Sequence, residues 1–113
     1  MTVLAVMPGK KPVKMELEGS LESMQAFVGG AIQAIYPFDD PVAIVCNEEG
    51  KLMGLEYNRA LRNETGVIYD ILCGPFFVCG LDTAYFVAAI NHDISVSSLC
   101  DPILKIKALL AKR

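Results

Sequence analysis

Apolar residues run along residues 2–7, and residues 8–12 (Pro-Gly-Lys-Lys-Pro) form a turn. Val13, Met15 and Leu17 then alternate with Lys14, Glu16 and Glu18, the period-2 pattern of a half-exposed strand. These two segments predict a hairpin. Leu21, Met24, Phe27 and Val28 recur at spacings of three and four and predict a helix, with Ser20 as its N-cap and Gly29-Gly30 as its stop. Residues 31–38 predict a third strand, which Pro37 ends or confines to a sheet edge. Residues 42–47 form the strongest apolar strand in the middle of the chain. Glu48-Glu49-Gly50 would then turn the chain into residues 51–55, giving a hairpin with an acidic tip. Asn58 is placed to cap one helical turn through Arg62, and Asn63 to Gly66 to form another turn. Residues 67–72 and 76–79 predict two further strands divided by Gly74-Pro75.

The end of the chain predicts two more helices. Residues 84–90 form a short, nearly all-apolar helix behind Asp82 or Thr83. Asp101 would cap the last helix with Pro102 in its first position, and Leu99, Ile103, Ile106 and Leu110 would be its buried stripe. Leu104 and Leu109 fall off that stripe, so this helix could face its own core or a second chain. Strands run together with helices set apart, which favours α+β over strict alternation. The expected architecture is a mostly antiparallel sheet of five to seven strands with two main helices and a short third.

Composition adds bounds. A chain of 113 residues suits one domain, 1–113, with a core large enough to need no disulfide or metal. Apolar residues make up 53% and charged residues 20%, an excess that a filled core or a subunit-covered face would explain. The net charge of −3, with no long run of like charges, disfavours nucleic acid as a partner. No apolar run approaches a membrane span, and none resembles a signal peptide. Cys46, Cys73, Cys79 and Cys100 form no Cys-x-x-Cys pair, so four free thiols in the cytoplasm are expected.

The chemistry-bearing residues gather in one stretch. Asn47, Glu48, Glu49 and Lys51 lie at the predicted tip, and the short connection after Leu55 could bring Asn58 and Arg59 back to them. Two carboxylates can act as acid and base when their surroundings separate their pKa values. Neighbours in one loop seldom converge on one substrate atom, however, and a solvated tip with Asn47 supporting the turn explains the same residues. The cysteine spacings do not suit zinc, and His92 is the single histidine available to a Cys–His pair. No glycine-rich phosphate loop or nucleophile elbow is present. No catalytic residue, metal or cofactor is therefore assigned.

Three pieces carry a resemblance: Val28-Gly29-Gly30-Ala31-Ile32-Gln33, then Val45-Cys46-Asn47-Glu48-Glu49-Gly50-Lys51-Leu52 with Gly54-Leu55, then Asn58-Arg59-Ala60. In this order they resemble a bacterial and phage family catalogued as domain of unknown function 3846. The resemblance covers roughly residues 1–90 and leaves 91–113 as a C-terminal extension with a helix. It implies a gene of phages, mobile elements or their bacterial hosts, and brings no activity, cofactor or catalytic residue.

The functional expectation is a small, non-enzymatic interaction or accessory protein, with a protein partner or self-association. Its contact residues would be Asn47, Glu48, Glu49, Lys51, Asn58 and Arg59. The alternative is a small enzyme or ligand-binding domain that uses the same polar cluster in a concave site.

Overall fold

The computed structural model describes residues 1–37, 41–63 and 65–81. Within them lie strands β1 (Thr2–Val6) and β2 (Val13–Glu16), helix α1 (Leu21–Val28), and strands β3 (Ile32–Ile35), β4 (Val42–Asn47), β5 (Tyr57–Arg62), β6 (Ile68–Cys73) and β7 (Phe76–Gly80). Five strands form one sheet in the order β2-β1-β7-β4-β3, and β5 and β6 form a separate two-stranded ribbon. Every strand pairing is antiparallel.

The five-stranded sheet is covered on both faces. Val3, Val45 and Phe77 point to one side and pack with Val28 of α1, flanked by Met24 and Phe27. The Phe27 and Phe77 rings meet edge to face with centroids 5.7 Å apart, a favoured aromatic geometry. Leu4, Val6, Val42, Ile44, Cys46, Phe76 and Val78 point to the other side and pack on Leu61 and Leu72 of the ribbon. This explains why β4 is apolar without alternation: both of its faces are buried along its whole length.

Helix α1 follows the expected signals. The Ser20 hydroxyl accepts a hydrogen bond from the Ser23 N–H at 3.1 Å. Gly29 adopts φ +84° and donates its N–H to the Gln25 carbonyl at 2.9 Å, the left-handed stop that glycine makes without strain.

Four expectations need correction. Residues 51–55 do not pair with β4, because β3 and β7 already occupy both of its edges. Instead residues 48–54 wind through successive turns, with the Met53 N–H donating to the Glu49 carbonyl at 2.8 Å and the Leu55 N–H to the Gly50 carbonyl at 3.0 Å. Asn58 does not cap a helical turn either. It lies inside β5, which pairs with β6 through a register shift between Tyr57 and Arg59. Two main helices and a short third were expected, and one helix, α1, is found among the described residues. The helices expected at 84–90 and 101–112 lie outside the described residues, as does His92. The third strand is also shorter than expected, ending at Ile35. Among the described residues no helix is long and apolar enough to cross a membrane.

Candidate binding groove

Asn47, at the end of β4, organises this region. Its side-chain amide donates to the Val28 carbonyl at 3.1 Å, which satisfies an orphan acceptor at the end of α1. Its side-chain oxygen accepts from the Glu49 N–H at 2.8 Å, an Asx turn that starts the following winding segment. Asn47 is only 6% exposed. The residue therefore fixes the turn from inside, and the expected supporting role is the one its geometry shows.

The turn packs tightly on β6. A Cβ added at Gly50 would lie 2.6 Å from the Cys73 carbonyl oxygen, so only glycine lets the two backbones approach this closely. Around this contact a cleft of about 400 Å³ opens. Gln33 of β3, Cys46 of β4, Glu48 and Glu49 of the turn, and Asp70 and Cys73 of β6 are among its lining residues. The acidic segment thus lines a concavity, with Glu48 and Glu49 themselves exposed.

Lys51 reaches over from the turn to β6, where its Nζ lies 2.7 Å from Asp70 Oδ1. The ammonium donating to Asp70 holds that carboxyl below its ordinary range, and the same contact raises the pKa of Lys51. Burial pushes the Cys46 thiol up, with the nearby Asp70 charge adding to it. A high thiol pKa makes Cys46 a poor nucleophile. Burial and then Asp70 also raise Tyr69.

A second, shallower depression of about 460 Å³ adjoins the first and shares Lys51, Asp70, Ile71 and Cys73 with it. Ile68 and Tyr69 extend it along β6. The two depressions share this wall of β6. The acidic end of this groove holds Glu48 and Glu49, and its apolar end holds Ile68, Tyr69 and Ile71, which are 46%, 55% and 38% exposed.

Asn58 and Arg59 are not in the groove. Both are buried, at 0% and 2% exposure. The Asn58 amide donates to the Val6 carbonyl at 2.9 Å and the Gly74 carbonyl at 2.8 Å, tying β1 to the turn between β6 and β7. One Arg59 guanidinium nitrogen donates to the Asn58 carbonyl and side-chain oxygen, and the other to the Lys10 carbonyl. The expected six-residue cluster is therefore two clusters: Asn47, Glu48, Glu49 and Lys51 at the groove, and Asn58 and Arg59 in the interior. Asp70 is the groove residue that the sequence reading missed. A single charge inside the apolar run 67–72 was the available signal.

Among the described residues no group of three His, Cys, Asp or Glu side chains is arranged to hold a metal ion. No curated protein and no solved structure gives a significant match to this chain. One family model does match, over residues 1–96, and that span contains both the groove and the Asn58–Arg59 cluster. The chain belongs to the family described as Domain of unknown function (DUF3846).

Proposed function

We propose that this chain is a non-enzymatic interaction or accessory protein, and that the groove between the 48–54 turn and β6 receives a basic, amphipathic protein segment. The observation that carries this reading is that the acidic cleft and the exposed apolar depression share Lys51, Asp70, Ile71 and Cys73 as lining residues. Three carboxylates, Glu48, Glu49 and Asp70, face one ammonium, Lys51, which is already engaged by Asp70. A helix laid in such a groove would bury its apolar side on Ile68 and Ile71 and set its cations against Glu48 and Glu49. The family resemblance adds a setting, the cytoplasm of a bacterium that carries a phage or mobile element.

The competing reading is a small-molecule site or small enzyme at the acidic end. Its support is the concavity itself, which holds Cys46 and Cys73 beside the Lys51–Asp70 pair. Against it stand the internal role of Asn58 and Arg59 and the protonated state that burial favours at Cys46.

The test is a fluorescence-anisotropy titration of a labelled amphipathic peptide with lysines along one side. The full chain is compared with its Glu48→Lys/Glu49→Lys variant. Reversing both charges should weaken binding by about tenfold, or about 1.4 kcal/mol, and added salt should narrow the difference. Equal affinities for the two proteins would reject the proposed surface.

A further inference from the structure

Charge is divided unevenly along this chain. Residues 1–96 hold twelve acidic and six basic side chains, whereas residues 97–113 hold Asp101 against Lys105, Lys107, Lys112 and Arg113. Between Arg62 and Lys105 there is no Lys or Arg. The same basic stretch carries Ile103, Ile106 and Leu110 at helical spacing. On a helix of 3.6 residues per turn, Lys107 would flank this stripe on one side and Arg113 on the other. This is the chemistry that the groove fits: an apolar stripe for Ile68, Tyr69 and Ile71, and cations for Glu48 and Glu49.

We propose that the occupant of the groove is this chain's own segment 97–113, which lies outside the described residues. The inference rests on the recognition reading above and names the partner of the same surface. Reach is sufficient. The last described residue is Leu81, and with 84–90 helical, as the sequence predicts, residues 82–98 still span roughly 43 Å at ~1.5 Å per helical and ~3.3 Å per extended residue. A five-stranded sheet is only about 20 Å across. The segment thereby competes in cis with any external ligand of the groove, and its place on the same chain gives it a high effective concentration.

Zero-length carbodiimide cross-linking of the full chain, followed by peptide mass spectrometry of the monomer band, tests the contact without any added ligand. The expected product is an amide between Lys107 and Glu48 or Glu49 within one chain. In parallel, Lys107→Glu/Arg113→Glu should raise the affinity of the full chain for the labelled basic peptide severalfold, because the internal competitor is weakened. A cross-link found solely in the dimer band would overturn the proposal in favour of a second copy. No such cross-link, together with unchanged peptide affinity in the variant, would overturn it outright. The recognition reading fails separately, through equal peptide binding by Lys107→Glu/Arg113→Glu with and without Glu48→Lys/Glu49→Lys.

Discussion

One nitrogen of the Arg59 guanidinium donates to both the main-chain carbonyl and the side-chain oxygen of Asn58, at 2.9 and 3.0 Å. The Asn58 amide is in turn committed to the carbonyls of Val6 and Gly74. Two polar side chains, adjacent in sequence, thus satisfy each other and three segments of main chain in a site closed to water. Removing one partner strands the others, which costs far more than the net worth of the bonds. Asn58→Ala is expected to lower stability by about 2–4 kcal/mol. In urea denaturation this should appear as a lower midpoint at nearly constant slope. An unchanged midpoint would show that the network is not what joins β1 to the ribbon.

Gly50→Ala should also destabilise the fold, by about 1–3 kcal/mol, as a forced overpacking against main chain. The added methyl meets the Cys73 carbonyl oxygen at 2.6 Å, and neither backbone can move without breaking the turn or the β5–β6 pairing. Gly19→Ala is the matched control, since no atom lies within 4 Å of its added Cβ. Thermal melts of the two variants should differ clearly, with Gly19→Ala close to the native chain.

The Lys51–Asp70 pair gives a pH signature. Asp70 is lowered in the folded state, chiefly by the hydrogen bond from Lys51, so its contribution is present above its unfolded pKa and lost as pH falls through the folded value. Lys51 is raised, so its contribution is present below its unfolded pKa and lost as pH rises through the folded value. The stability difference between native chain and Lys51→Met should be flat through neutral pH. It should shrink in acid below the ordinary Asp range and in alkali above the ordinary Lys range. Both side chains are well exposed, so the difference will be small and will fall with salt. A difference that grows toward acid would contradict the assigned pairing.

Cys46 is buried, its Sγ contacts the Gln33 carbonyl at 3.7 Å, and its pKa is raised by burial. Alkylation requires the thiolate. Iodoacetamide at mildly alkaline pH should therefore label Cys46 much more slowly in the folded chain than in urea, as read by peptide mass spectrometry. Equal rates in the two states would mean that the cleft opens around β4 on the labelling timescale.

The sequence was informative where local signals and packing agree. Ser20 and Gly29 bound α1 as their chemistry predicts, and the alternation of Val13, Met15 and Lys14 marked β2. It failed at residues 51–62, and one cause underlies both errors there. A strand following an apolar strand and a short turn reads as a hairpin, yet β4 takes its partners from β3 and the distant β7. The chain after β4 must then cross to a second layer, which the turns of 48–54 accomplish. In β5 the alternation is hidden, since Asn58 and Arg59 are buried by hydrogen bonding and a register shift interrupts the period. The same inversion misled the site reading, because the most polar pair in the cluster turned out to be the most buried.

The central claim is that the groove beside β6 is where a basic, amphipathic segment binds. Amide chemical-shift mapping during titration of the full chain with the lysine-rich peptide tests it most directly. Perturbations are expected to concentrate at Glu48, Glu49, Lys51 and the strand Ile68–Cys73. Perturbations centred on α1, or none at saturating peptide, would contradict it.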